Sequence, residues 1–184
     1  MLVARTLAGE LSAFEALVER YRDLVYRVAA TIVGREEAED VTQDALLRAF
    51  HRLHGFRGEA SFRTWLLRIV HNTALNALAR KHPEPLGDTL PDDLTDPAWT
   101  VRERSPADQL EVGELRERLA LKLSSLRPAH RAVLVLRDLE GLSYEEIAQV
   151  TDAPLGSVKG RLYRARQELV EVLRHNTYDW ELPE

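Results

Sequence analysis

The side chains best suited to chemistry in this chain are amides and guanidiniums at helical spacing, rather than acids, thiols or nucleophiles. Asn72 and Asn76 are four residues apart and share one face of a predicted helix with Arg68. Asparagine is disfavoured inside helices, and its amide offers both a donor and an acceptor to base edges. Residues 57–81 carry five basic residues and one acidic residue. The pattern favours nucleic-acid binding, with phosphates held by the basic residues; a solvated polar face is the alternative.

A second basic cluster lies in residues 142–174, which are predicted to form two helices with a short break between them. Ser143 is placed as an N-cap, with Glu146 at the spacing of a capping box. Pro154 suits the first turn of the second helix, where its missing N–H costs nothing. This arrangement predicts a helix–turn–helix that reads the major groove of DNA. A helical hairpin with a solvated charged face is the alternative.

The second of these helices has two distinct sides. Residues at helical spacing are predicted to face a core: Val158, Leu162, Ala165, Leu169 and Leu173. The opposite side is predicted to be exposed: Lys159, Gly160, Tyr163, Arg164 and Gln167. Residues 159–174 contain five basic residues and two acidic ones, although the whole chain has a formal net charge of −5. The positive charge is therefore concentrated where DNA would lie.

The composition argues against an enzyme. The chain has no cysteine, which excludes disulfides and thiol catalysis. Its histidines show no HExxH spacing, and neither a Gly-rich phosphate loop nor a nucleophile elbow is present. We predict no catalytic residue, no metal site and no cofactor. The first residues lack the apolar core of a signal peptide, and no apolar run is long enough for a membrane span, so a soluble, cytoplasmic protein is expected.

The negative charge is concentrated in one segment. Residues 83–108 hold seven acidic residues and two arginines, a local charge of −5, and five of the eight prolines. Such a segment cannot be one continuous helix, and it is predicted to be a linker between two domains. Because DNA would repel it, we expect it to run along a basic groove of a protein partner.

The predicted architecture is all-α. The helix around Phe14 to Val28 is followed by a boundary at Gly34 and by a helix that buries Ala38, Val41, Ala45, Ala49, Phe50 and Leu53. Ser61 is a plausible N-cap for a third helix, which begins at Phe62. The domains are predicted as residues 1–82, the linker 83–108, a helix–turn–helix domain 109–174 and an acidic tail 175–184.

Three motifs in this order resemble the extracytoplasmic-function (ECF) sigma factors, which are small bacterial transcription initiation factors. They are DVTQDALLRAFHRL, FRGEASFRTWLLRIVHNTALNALARK and LSYEEIAQVTDAPLGSVKGRLYRAR. The resemblance implies a factor that binds core RNA polymerase, recognises −35 and −10 promoter elements and directs initiation in a stress or envelope response. It also implies an anti-sigma factor as a partner.

The resemblance assigns site residues on three helices and on the loop before one of them. Those implied to bind the clamp helices of the polymerase are Asp40, Gln43, Asp44, Leu47 and Arg48. Those implied to bind and melt the −10 element and capture a flipped base are Phe56, Arg57, Ser61, Arg63, Arg68, Asn72, Asn76, Arg80 and Lys81. Those implied to bind the −35 element are Ser157, Lys159, Gly160, Arg161, Tyr163, Arg164 and Arg166.

One residue departs from the family, and one rival function stays open. Position 160 is glycine where many relatives carry serine, so a promoter preference cannot be transferred from them. His71 and Phe56 are expected to offer stacking surfaces to unpaired bases.

The rival function is that of a two-domain helix–turn–helix regulator that binds duplex DNA without polymerase. A ligand pocket or dimer interface in the N-terminal domain would favour that rival.

Overall fold

A computed structural model of the chain describes residues 2–81, 119 and 121–174, and the regular secondary structure in these residues is helical throughout. Its α-helices include α1 (Leu2–Leu7), α2 (Leu11–Val33), α3 (Arg35–Arg52), α4 (Phe62–Lys81), α5 (Pro128–Leu134), α6 (Tyr144–Thr151) and α7 (Leu155–Arg174), and residues 121–124 are also helical. A 3₁₀ turn, Leu53–Gly55, follows α3, and a π-helical turn, Val135–Leu139, continues α5. The predicted all-α fold is confirmed. The predicted linker and tail lie outside the described residues.

The N-terminal part is a bundle in which α2, α3 and α4 pack against one another. Val25 and Val28 of α2 are buried together with Ala45 of α3 and with Leu67 and Val70 of α4. The chain turns sharply between α2 and α3 at Gly34, whose φ of 89° favours glycine. Acidic residues in the first turn of α3 suit the positive end of the helix dipole. The predicted boundary at Gly34 is therefore confirmed.

The C-terminal part contains the predicted helix–turn–helix. Ser143 Oγ accepts a hydrogen bond from the N–H of Glu146, and the Glu146 carboxylate accepts one from the N–H of Ser143. This reciprocal capping box starts α6, as the sequence predicts. Asp152, in the left-handed conformation with φ of 53°, ends α6 before α7 begins. Both elements of the predicted helix–turn–helix are thus present.

Three predicted placements are wrong in detail. Phe50 is 40% exposed rather than buried, because it lines the open groove between α2 and α3 and packs there on Phe14, whose ring centroid is 4.7 Å away. Leu173 is 45% exposed because it lies in the last turn of α7. Pro154 precedes the helix instead of opening its first turn, since its carbonyl accepts the first helical hydrogen bond, from Val158.

The two parts of the chain pack directly against each other, with α4 against α6 and α2 against α5. Buried apolar residues form one continuous cluster that includes Val28 and Leu67 on one side and Val133 and Ile147 on the other. Arg131 of α5 is buried and donates a hydrogen bond of 3.0 Å to the carbonyl oxygen of Ile32, in the last turn of α2. The polar helix α4 is therefore held against the first helix of the helix–turn–helix.

Candidate nucleic-acid interface

The polar face of α4 has the composition that the sequence predicts. Asn72 and Asn76 are both exposed one helical turn apart, and Arg80 is exposed beyond them. The Arg80 guanidinium donates a hydrogen bond of 3.3 Å to the backbone carbonyl of Asn76. At the end of the helix Lys81 forms an ion pair with Glu37 of α3. The two amides therefore stand on an open surface bordered by cations, which suits contact with bases and phosphates.

The loop before α4 places an aromatic cluster beside this face. Phe56 packs edge-on against Phe62 and Trp65, with ring centroids at 5.9 and 5.4 Å. Tyr21 of α2 joins the cluster through Phe62, at 5.4 Å. Ser61 Oγ accepts a hydrogen bond from the N–H of Thr64 at 3.1 Å, which confirms the predicted N-cap of α4. Phe56 is half-buried, so it supports the loop and still presents part of its ring to solvent.

His71 is not a stacking surface, contrary to the expectation from the sequence. Its side chain is buried on the inner side of α4, because it shares a helix face with the buried Leu67 and Ala74, four residues before it and three after it. Burial lowers the pKa of His71 to about 4, and the positive charge of Arg161 acts in the same direction. His71 is therefore a neutral core residue at pH 7.

The outer face of α7 is smaller than the sequence predicts. Lys159 is exposed. Four other predicted contacts on this face are partly buried but still have surface open to solvent: Ser157, Arg161, Tyr163 and Arg164. Gly160 is buried, so its predicted exposed position is wrong. The Arg166 side chain is 14% exposed and pairs with Asp138 at 3.0 Å. Arg166 therefore turns inward, to the π-helical turn, instead of outward to DNA.

The polar face of α3 presents an isolated apolar residue among charges. Leu47 is 61% exposed, between exposed Gln43 and the ion pair of Asp44 with Arg48, at 2.8 Å. Asp40 is exposed on the same side. Leu47 and Gln43 also border a shallow, mainly apolar groove of about 470 Å³ between α2 and α3. The predicted face is thus open, and it adjoins a groove that the sequence did not indicate.

Two of the predicted DNA contacts are engaged by the C-terminal part of the chain. Arg63 donates a hydrogen bond of 2.7 Å to the carbonyl oxygen of Glu140 and also approaches its carboxylate at 3.4 Å. Arg68 forms an ion pair of 3.0 Å with Asp152 at the end of α6. Thr64 donates a hydrogen bond of 3.3 Å to Glu146. Arg63 and Thr64 are consequently engaged by the C-terminal part of the chain, whereas the side chain of Arg68 is still 47% exposed and Asn72 and Asn76 are open.

Sequence reasoning missed the residues that make these contacts. Glu140, Asp152 and Arg131 are distant in sequence from the groups they bind, and no local pattern marks a partner across such a separation. Glu140 stands next to Gly141, which predicts a helix end but not a bridging carboxylate. Pairing information from related sequences could have found them.

The described part of the chain contains no cluster of three or more histidine or acidic side chains that could hold a metal ion. Within those same residues, each helix is either too short or too polar to cross a bilayer.

Comparison with known proteins gives matches over both parts of the chain. Residues 17–83 match the family model of Sigma-70 region 2, and residues 116–169 match that of Sigma-70, region 4. The chain is 36% identical over 173 residues to the ECF RNA polymerase sigma-E factor of Escherichia coli (strain K12), which covers 92% of this chain and 91% of that protein.

Solved structures give the same result. The structure of CnrH in complex with the cytosolic domain of CnrY superposes with a TM-score of 0.67 and 29% identity, covering 96% of this chain and 97% of CnrH. The sigma factor RpoE of Bartonella quintana, solved in complex with the anti-sigma factor NepR, matches with a TM-score of 0.61. At 21% identity over 89% of this chain and 98% of RpoE, that match supports the fold alone.

Proposed function

The chain belongs to the ECF family of RNA polymerase sigma factors, and from this premise we propose that α3, α4 and α7 divide promoter-dependent initiation among them. In this division α3 binds core polymerase, α4 with its preceding loop binds and opens the −10 element, and α7 reads the −35 duplex. As a transcription initiation factor, the chain acts without chemistry of its own, in the cytoplasm. The single observation that carries the proposal is the open pair Asn72 and Asn76 on a basic helix beside an aromatic loop.

The α4 surface has the parts that strand opening requires. Separating a base from its stack costs a few kcal/mol, so a protein must offer replacement contacts to the unpaired base. The amides of Asn72 and Asn76 can bond base edges that pairing would otherwise occupy. The exposed edge of Phe56 offers an aromatic surface, and Arg57 and Arg80 offer cations to the strand backbone.

The α7 surface needs only to read an intact duplex. Helix–turn–helix proteins place the second helix in the major groove, with its N-terminal residues at the base edges. Lys159, Arg161 and Arg164 lie in the first half of α7 and are proposed as these contacts. Gly160 and Arg166 are not included, because one is buried and the other pairs with Asp138.

The α3 face and its groove are proposed as the polymerase-binding surface. Leu47 is an exposed apolar residue within a polar rim, which is the composition of a small protein interface. A polymerase-binding surface on α3 would distinguish this function from that of a regulator that acts without polymerase. We also propose an anti-sigma factor as a second partner, because RpoE is bound by the anti-sigma factor NepR.

The test is transcription with purified components. Core polymerase alone and core polymerase with this chain are incubated with a fragmented genomic library, and run-off products are sequenced. We expect discrete start sites with shared −35 and −10 elements only when the chain is present. Duplex binding by the chain without start sites, at any core concentration, would contradict the proposal and favour a regulator that acts without polymerase.

A further inference from the structure

We infer that Glu168 is a positioning residue of the helix–turn–helix, whose carboxylate fixes the rotation of α7 about its own axis. This rotation decides which side of α7 faces the duplex. The inference rests on the proposed reading of the −35 element by α7, and it deepens that proposal. It depends on contacts between α7 and the start of α5, both within the C-terminal part of the chain. Glu168 itself is not proposed to touch DNA.

The packing between α5 and α7 is mainly apolar on the α7 side. Val158, Leu162 and Ala165 are fully buried along the inner face of α7, which packs against α5. The hydrophobic effect that holds such a face is non-directional, whereas a hydrogen-bonded pair of a carboxylate and a guanidinium has a defined geometry. A polar contact at the edge of this face is therefore the feature best suited to define the rotation of α7.

Glu168 makes such a contact. It follows the buried Ala165 by three residues, and its own side chain is 27% exposed. Both of its carboxylate oxygens are bound by Arg127: Nε donates to Oε1 at 2.7 Å, and the backbone N–H donates to Oε2 at 3.4 Å. The side chain of His130 is 1% exposed, and its Nδ1 lies 3.0 Å from the same Oε1. One carboxylate of α7 is thus held by two residues at the start of α5.

The carboxylate of Glu168 is ionised at neutral pH. Partial burial opposes its ionisation, but the contacts with Arg127 and His130 outweigh this effect and hold the pKa of Glu168 below its usual range. The pair of opposite charges with Arg127 is therefore present under the conditions in which the chain would bind DNA.

The start of α5 is a fixed base for this contact. Pro128 follows Arg127, and a residue before a proline is restricted to an extended backbone. Arg127 accordingly has φ of −54° and ψ of 137°, and its carbonyl oxygen accepts a hydrogen bond of 2.9 Å from the N–H of Arg131. Ala132 and Val133, which come next, are buried in the core. Glu168 therefore connects α7 to a part of the chain whose direction is set by its own packing.

The contact lies close to the residues that are proposed to read the duplex. Arg164 and Arg161 precede Glu168 by four and seven residues, so all three lie along one side of α7. A rotation of α7 would move both guanidiniums together relative to the groove. Base edges are recognised by bonds of defined geometry, whereas attraction to phosphates carries no sequence information. Loss of the Glu168 contact is therefore expected to lower sequence discrimination more than general DNA binding.

The test compares the affinities of the full chain for two duplexes. One is selected from a random-sequence pool by the wild-type chain, the other has a scrambled sequence, and both are measured by fluorescence anisotropy at one salt concentration. We expect Glu168→Gln to reduce the ratio of the two affinities about tenfold, the effect of one misplaced base contact. Arg127→Gln should reduce the ratio similarly, although it changes the charge in the opposite direction. Because the two residues act through one contact, the double variant should lose no more than Glu168→Gln alone.

Charge and folding are controlled separately. Glu168→Gln makes the chain less negative, which by electrostatics alone strengthens binding to both duplexes. Glu171→Gln makes the same change at an exposed carboxylate of α7 that pairs with Arg174 in the same helix, and it should leave the ratio unchanged. A variant that is only less completely folded loses both affinities by the same factor, so its ratio also stays unchanged.

An unchanged ratio in Glu168→Gln would overturn the positioning role, and so would a larger loss in the double variant or an equal loss in Glu171→Gln. A wild-type chain that selects no sequence from the pool would overturn duplex reading by α7 and this inference with it. The run-off assay tests the proposed function separately, because start sites depend on core polymerase and the ratio of duplex affinities does not. Absence of start sites there would overturn the proposed function whatever the ratio.

Discussion

The guanidinium of Arg63 lies 2.7 Å from the backbone carbonyl oxygen of Glu140, which joins the proposed −10 surface to the turn before the helix–turn–helix. The bond involves a backbone atom, so substitution of the Glu140 side chain weakens the contact without abolishing it. Arg63 is thus shared between a resting contact and a proposed DNA contact. Variants at residues other than Arg63 each report on one surface.

Arg164→Ala is expected to weaken binding to a −35 duplex. Loss of a base contact costs about 1–3 kcal/mol, whereas loss of a phosphate contact lowers the slope of log affinity against log salt by about one. Fluorescence anisotropy over a series of salt concentrations distinguishes the two. Arg166→Gln is the matched control on the same helix, because its side chain pairs with Asp138. An equal loss of affinity in both variants would contradict the proposed reading face.

Leu47→Ala combined with Asp44→Arg is expected to lower the affinity for core polymerase about tenfold, which corresponds to roughly 1.4 kcal/mol and is typical of a central interface residue. The fold should be unaffected, because Leu47 is 61% exposed. Biolayer interferometry with immobilised core polymerase measures the effect. Leu121→Ala, at a leucine that is 71% exposed elsewhere, serves as the control. Wild-type affinity in the double variant would exclude this face of α3 as the docking surface.

The stability of the chain is expected to fall on acidification because of His71. Burial lowers its pKa to about 4 in the folded state, whereas the unfolded value is about 6.5. The unfolded chain therefore binds the proton first, and the contribution is complete above about pH 6.5 and is lost as the pH falls towards 4. Between pH 7.5 and pH 5 the loss amounts to about 2 kcal/mol.

Urea unfolding of the wild-type chain and of His71→Gln at both pH values checks this expectation. The variant is less stable at pH 7.5 because it loses packing, but its stability should decline less between the two pH values. An equal decline in the free energy of unfolding of both proteins would show that groups other than His71 cause the loss of stability at low pH.

Local patterns predicted the helices, whereas contacts across the chain were not predictable. Ser143 and Glu146 are three residues apart, and their chemistry alone specifies the capping box that the structure contains. The spacing of Asn72 and Asn76 likewise predicted their exposed face. By contrast, Arg27 and Glu140 are ordinary surface types in the sequence, and only tertiary packing brings them together.

The errors have the same cause. Gly160 and Arg166 follow the spacing of the outer face of α7, but packing on the rest of the C-terminal part buries one and pairs the other with Asp138. His71 adjoins the exposed amides in sequence, yet it points to the core of the bundle. A periodicity gives the direction of a side chain on its own helix, but it does not give the neighbours that cover it.

The most direct test of the account compares promoter opening by holoenzymes that contain the wild-type chain, Asn72→Ala/Asn76→Ala or Arg164→Ala. Abortive transcription is measured on a duplex promoter and on the same promoter with an unpaired −10 region. We expect the asparagine variant to be impaired on the duplex and to recover on the unpaired template, because the amides act in opening. The arginine variant should recover little. Equal recovery of both variants, or none in the asparagine variant, would contradict the assignment of strand opening to α4.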